Sequence, residues 1–202
     1  MPSNSSLSRR GFTIGAMLLA PAVTLAFPVF ALTNREASDL IGQLVNDLNR
    51  IINSGKAETA MFRDFENLFN KYADVPIIAR SSLGAPWRSA TAAQKSSYTA
   101  AFRGYMARKY GRRFNEFKGG NIVVNSSRPV KSGFLVSSTV HISTSAPFAV
   151  DWQVSDKSGS NKMFNLYIEG ISLLATERTE ISAMLDKRGG DLDVLIRDLK
   201  SL

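Results

Sequence analysis

Residues 133–155 read GFLVSSTVHISTSAPFAVDWQVS, and this stretch decides the class of fold. Phe134, Val136, Ser138, Val140 and Ile142 alternate with Leu135, Ser137, Thr139, His141 and Ser143. After a short break, Phe148, Val150, Trp152 and Val154 alternate with Ala149, Asp151, Gln153 and Ser155. A period of two sends successive side chains to opposite faces, so both runs predict strands with one apolar face. Upstream, Ile122-Val123-Val124 predicts a short strand. Downstream, Asp156-Lys157-Ser158-Gly159 turns the chain into a fourth strand over 162–169, most simply as a hairpin. The expectation is a four-stranded antiparallel sheet.

Outward from the sheet the period changes to three and four. Thr33 with Glu36 forms a capping box at the start of a helix carrying Ala37, Leu40, Ile41, Leu44, Val45, Leu48, Ile51 and Ile52, stopped by Gly55. A second helix has Met61, Phe62, Phe65, Leu68, Phe69 and Tyr72 on one face. Asp74 caps a short third, which tolerates Pro76 near its start and ends at Gly84. Thr91 and Gln94 form a second capping box before the longest helix, expected over 92–118 and ended by Gly119-Gly120. Within it Gly104 and Gly111 each cost about 1 kcal/mol relative to Ala, which either a close neighbour or plain tolerance explains. After Gly170 two further helices are expected over 175–187 and 191–201, separated by Gly189-Gly190. No repeat or low-complexity linker interrupts the order, so this is one α+β domain with about six helices. At 202 residues the chain is long enough to bury roughly 70% of its unfolded surface.

Residues 1–31 are set apart as an export signal, leaving 32–202 as the folded domain. Arg9-Arg10 with Phe12 precedes an apolar run from Ile14 to Phe27, and Val29-Phe30-Ala31 supplies small residues at a cleavage site. The paired arginines resemble a twin-arginine signal, with the general secretory route as the alternative. A retained anchor is disfavoured because Pro21 breaks an apolar run already shorter than the ~20 residues a bilayer span needs. Removing 1–31 leaves 23 basic and 17 acidic residues. A basic protein outside the cytoplasm meets anionic headgroups or acidic partners rather than nucleic acid.

The residue inventory excludes most chemistry. Without cysteine there is no disulfide framework, thiolate metal site or cysteine nucleophile, and His141 is the sole imidazole. There is no Gly-x-Ser-x-Gly elbow, and Gly119-Gly120 lacks the Lys-Ser/Thr of a phosphate loop. The acids Asp74, Glu116, Asp151, Glu169 and Glu177 are scattered, which leaves open a pair meeting in space. A basic cluster, Arg103, Arg108, Lys109, Arg112, Arg113 and Lys118, lies along the long helix among Tyr105, Tyr110 and Phe114. It reads as an RNA strip, as a solvated face behind a buried aromatic one, or as a guide to a membrane component.

The run Tyr72-Ala73-Asp74-Val75-Pro76-Ile77-Ile78-Ala79-Arg80, followed by Leu83-Gly84, Trp87-Arg88, Ala90-Thr91, Gln94, Phe102 and Tyr110, resembles the MlaC (toluene-tolerance) family. Phe164 through Leu173 resembles that family's strand ending in Glu-Gly-Val-Ser-Leu, and Arg178–Leu185, Gly189-Gly190 and Leu195-Ile196 continue the likeness. Asn165 stands where the family commonly has Asp, and Glu180-Ile181 where it has Gln-Phe. The resemblance implies a curved sheet and helices around an apolar cavity that takes the acyl chains of a phospholipid. It implies a periplasmic, non-catalytic, cofactor-free monomer. Such a protein shuttles diacyl lipid between an outer-membrane lipoprotein–porin complex and an inner-membrane ABC transporter carrying MCE domains. The side chains placed to line that cavity are Val75, Ile78, Leu83, Phe102 and Met106 on the helices, and Phe134, Val136, Val140, Ile142, Phe148, Val150 and Trp152 on the strands. A carrier of another greasy ligand, such as a hopanoid or a solvent molecule, and an enzyme built on a similar cavity are the rival readings.

Overall fold

The computed structural model describes residues 32–143 and 145–202, so the export signal read in residues 1–31 lies outside the described residues. Four helices come first: α1 (Asn34–Ile52), α2 (Glu58–Tyr72), α3 (Val75–Leu83) and α4 (Ala92–Gly111). The sheet follows as β1 (Asn121–Val130), β2 (Gly133–Ile142), β3 (Ser145–Ser155), β4 (Lys162–Ile168) and β5 (Ile171–Ser172). Two helices, α5 (Leu173–Asp186) and α6 (Leu192–Leu199), complete the chain. The strands lie in sequence order and every neighbouring pair is antiparallel. The sheet thus has the four expected strands plus a two-residue fifth, made when Glu169 and Gly170, both at positive φ, turn Ile168 back onto Ile171.

Both capping boxes form. Thr33 and Glu36 exchange bonds at the start of α1, as do Thr91 and Gln94 at the start of α4, and the Asp74 carboxylate accepts from the Ile77 amide. Two boundaries differ from expectation. The first strand runs for ten residues rather than three. Its second half, Ser126 to Val130, is polar and contains Pro129, which hides the pattern; as an edge strand it loses no ladder bond to the proline. The long helix ends at Gly111 rather than 118. There the Arg113 amide donates to the Tyr110 carbonyl (3.1 Å) and a 3-10 turn, Phe114–Phe117, reverses the chain toward β1.

Register places Ile122, Val140 and Phe148 in one cross-strand row, Ser138, Val150 and Ile168 in the next, and Val136, Trp152 and Leu166 in a third. These rows form the inner face. Irregularities between Val124 and Ser126, Val140 and Ile142, and Gln153 and Val154 insert extra residues that bend the strands. α1 crosses this inner face against β1, β2 and β3, while α2 packs on α1 and α4. A second, solid layer forms where α3 meets α4 and α5 and where α6 meets α4. Tyr98 and Phe102 are fully buried there with ring centroids 5.8 Å apart, and the Ser82 and Tyr98 hydroxyls share a 2.9 Å hydrogen bond.

The basic cluster of α4 is mostly committed to the fold. Arg103 bonds Glu66 (2.8 Å), Arg108 donates to the Leu199 carbonyl (2.6 Å), Lys109 bonds Glu177 (2.6 Å) and Arg112 donates to the Leu202 carbonyl (3.1 Å). These cations tie α4 to α2, α5 and the C-terminus, so the RNA-strip reading fails for them. Of the two glycines in α4, Gly111 has a demonstrable reason. A Cβ there would lie 2.5 Å from the Phe62 ring, so α2 and α4 meet closely only because the side chain is missing. Gly111→Ala should therefore destabilise by about 1–3 kcal/mol despite the better helix propensity. Combining it with Phe62→Leu should recover part of that loss in urea unfolding.

Candidate functional site

A cavity of about 290 Å3 lies between the inner face of the sheet and α1, α2 and the end of α4. Its walls come from nearly every surrounding element. α1 supplies Leu44, Leu48 and Ile52; α2 supplies Phe65, Leu68, Phe69 and Tyr72. Met106 and Tyr110 of α4 are followed by Arg113 and Phe117. The sheet gives Ile122 and Val140, then Phe148, Val150 and Trp152, then Met163, Leu166 and Ile168, and Leu173 begins α5. The volume is many times the roughly 10–15 Å3 that admits one water, yet the walls offer almost no polar atom to hold water.

The sequence logic of each wall is visible. On β4, Leu166 and Ile168 face inward by alternation, but an extra residue at Phe164 shifts the phase so that Met163 lines the cavity instead. On α1 and α2 the lining residues recur at three and four, the inward stripe of an amphipathic helix. Three aromatic rings of the lining carry a polar atom that must be satisfied, and each finds a partner that is not itself in the lining. The Trp152 indole N–H donates to Ser138 Oγ (2.9 Å), whose hydroxyl donates to the Val150 carbonyl (2.8 Å). The Tyr72 hydroxyl donates to Asp47 (2.6 Å), which also receives Lys71 (3.0 Å) and Arg50. The Tyr110 hydroxyl donates to Glu177, a carboxylate whose side chain is only 1% exposed and which Lys109 also bonds; Lys109 in turn reaches Glu180. The rings are thus fixed from behind and present their hydrocarbon to the cavity.

Of the twelve side chains placed in the cavity from sequence, Met106, Val140, Phe148, Val150 and Trp152 are in its lining. The other seven are not. Val75, Ile78, Leu83 and Phe102 are buried in the solid layer of α3 and α4. Val136 is fully buried on β2, and Phe134 and Ile142 are half-buried near that strand's two ends. The α1, α2 and β4 walls were missed entirely. The signal was present in the stripe Phe65, Leu68, Phe69, Tyr72 and in the alternation of Leu166 with Ile168, but nothing in one sequence tells a stripe that packs against atoms from one that faces a hollow. None of the five scattered acids lines the cavity. Glu177 ties α5 to α4, Asp74 caps α3, Glu116 pairs with Arg113, and Glu169 accepts from the Ala149 amide. Among the described residues no three acidic or histidine side chains are grouped so as to hold a metal ion. Nor is any helix among them long and apolar enough to cross a membrane. The departure at Asn165 is absorbed locally: its amide donates to Gln153 and Ser172 and its carbonyl accepts from the Leu174 amide at the start of α5 (all 3.1 Å).

The ties behind the wall make a pH prediction. Burial raises the Tyr98 and Tyr110 phenols above their ordinary range, and the Glu177 carboxylate raises Tyr110 further. Burial alone would lower the Lys109 ammonium, but its bonds to Glu177 and Glu180 outweigh that and hold it above its usual range. In all three the fold favours the protonated form. Their contribution is complete while the unfolded chain is also protonated, and it is lost as pH climbs past about 10, where unfolded Tyr and Lys give up protons. The urea midpoint should fall above about pH 10. Glu177→Ala should cost about 1–3 kcal/mol already at neutral pH, because Tyr110 and Lys109 lose their shared partner.

Comparison with known proteins bears on this geometry. The solved structure of a phospholipid-binding protein from Ralstonia solanacearum, in complex with a phospholipid, superposes with a TM-score of 0.70. It is 21% identical, and the match covers 82% of this chain and 95% of that one, so the two share a fold. Residues 42–201, nearly all of the described chain, match the sequence pattern of the family described as MlaC protein. A sheet with a bent, apolar inner face, helices that roof it and a carbon-walled cavity between them therefore have one assignment: the chain belongs to the MlaC family.

Proposed function

We propose that this protein is a periplasmic lipid carrier whose cavity receives the acyl chains of a phospholipid. The observation that carries the reading is the wall itself: twenty residues converge on one hollow, and every polar atom of its tyrosines and tryptophan is turned to a partner behind the wall. The depth of such a site suits a hydrocarbon chain rather than a polar substrate. The Ralstonia solanacearum protein of the same fold was solved holding a phospholipid, which supports this choice of cargo.

The energetics favour a shuttle over a sink. A diacyl lipid with about thirty methylenes resists entering water by roughly 0.8 kcal/mol each, more than 20 kcal/mol in all. The bilayer already supplies nearly the same stabilisation, so a cavity that exceeded it by much would never release its cargo. A lining that is apolar but for the exposed Arg113 side chain meets that requirement. In the fuller reading, the protein is exported by its N-terminal signal, of twin-arginine type. It then exchanges lipid with an Mla-type ABC transporter bearing MCE domains at the inner membrane and with a lipoprotein–porin complex at the outer membrane.

Protein purified gently from the periplasm should yield phospholipid in stoichiometric amount on solvent extraction and mass spectrometry. Recovery of a hopanoid or another greasy molecule instead would change the cargo, and recovery of no lipid would count against a carrier. A second measurement places the chains. In a Trp87→Phe background, phospholipid brominated in mid-chain should strongly quench Trp152 fluorescence. Val150→Asp should reduce both the quenching and the lipid recovered.

A further inference from the structure

We propose that Arg113 reads the headgroup of the lipid: its guanidinium takes the phosphate oxyanion at the rim of the cavity, and this contact makes the protein select phospholipid over phosphate-free lipid. The inference rests on the lipid-carrier reading and deepens it. Among the described residues that line the cavity, Arg113 has the one charged side chain. The tyrosine and tryptophan polar atoms of the lining are committed to buried or half-buried partners, whereas the Arg113 side chain is 62% exposed and stands where an apolar wall meets solvent. It is also the member of the α4 cluster left over at the cavity, since Arg103, Arg108, Lys109 and Arg112 hold α2, α5 and the C-terminus in place.

Its present engagement is weak. Arg113 reaches Glu116, three residues on, by contacts of 3.2 and 3.4 Å, at the long end for hydrogen bonds, and the Glu116 side chain is 54% exposed. An exposed pair of that kind contributes little. A phosphodiester presents two non-ester oxygens to the planar fork of a guanidinium, a bidentate contact shorter and stronger than the one it replaces. The backbone around the residue is meanwhile held: its amide donates to the Tyr110 carbonyl (3.1 Å) and its carbonyl accepts from the Glu116 amide (3.0 Å). The base of the side chain is fixed beside Tyr110, a wall residue, and its tip is free to exchange partners. With the tails drawn into carbon, the phosphate of a diacyl lipid comes to lie at the edge where this cation stands.

The test is a competition. Periplasm-purified protein is incubated with vesicles containing phosphatidylglycerol and diacylglycerol of identical chains, then re-isolated, and the bound lipid is quantified. Wild type should enrich phosphatidylglycerol over diacylglycerol. Arg113→Gln should lower that ratio roughly tenfold through lost phosphatidylglycerol, and Arg113→Lys should restore part of it. A parallel arm adds inorganic phosphate alone. If the rim reads a headgroup delivered by its tails, free phosphate at the lipid's concentration does not compete; competition would overturn the headgroup assignment in favour of a free-anion site. Lipid uptake with an unchanged ratio in both variants would overturn the role of Arg113 and leave the carrier reading standing. Uptake of neither lipid by wild type would overturn both.

Discussion

A hollow walled by hydrocarbon tends to collapse, because every atom on its lining lacks the neighbours that a packed core would give it. A hollow of about 290 Å3 left without a guest forgoes those contacts along its whole apolar lining. The wall must therefore be held from the outside. Three sets of polar ties do this. Asp47 gathers Tyr72, Lys71 and Arg50 between α1 and α2; Glu177 gathers Tyr110 and Lys109 between α4 and α5; Ser138 links Trp152 to the β2–β3 ladder. Each anchors an aromatic ring of the lining by its polar end. The same bonds that satisfy the rings' polar atoms thus keep the cavity both dry and open.

The molecule divides its interior accordingly. Between α3, α4, α5 and α6 the packing is solid, with Tyr98, Phe102, Ile181, Leu195 and Leu199 essentially without exposure. This layer supplies the burial that a cysteine-free domain in an oxidising compartment needs. Between the sheet and α1 and α2 the apolar residues instead face a hollow. α4 belongs to both, with Phe102 in the solid layer and Met106 and Tyr110 on the cavity. Flexible thioethers at Met106 and Met163 suit a lining that must conform to chains of varied length and saturation. The lone guanidinium at the rim gives orientation without deep polar capture, which agrees with a cargo that has to leave.

The sequence made the elements legible wherever local chemistry is strong. Both capping boxes, the Asp74 cap, the strict alternation of β2 and β3 and the hairpin after Asp156 all stand as read. It was less informative where tertiary context overrides local pattern. Asn125 to Pro129 do not look like a strand, but an edge position with a bulge accepts them. Nothing in residues 112–118 forbids continued helix, but α4 ends when the chain turns back to lay β1 beside α1. The cost of Gly111 became a reason only once Phe62 was found against it. Of the cavity, the β3 wall was legible because one strand face carries Phe148, Val150 and Trp152 without interruption.

By itself, the sequence determined the kind of molecule: an α+β domain without metal-binding thiols or a nucleophile elbow, rich in apolar stripes and carrying the run from Tyr72 to Arg80 that resembles its family. Which stripes enclose a hollow and which pack solid was decided only by tertiary structure. The period of a helix or strand says that a face is buried, but Val75 and Phe102 on one side and Leu44 and Leu68 on the other obey the same period. Their difference lies in how far the opposing element stands away, and that distance is set by bulges, by one close helix contact and by polar ties between residues remote in the chain.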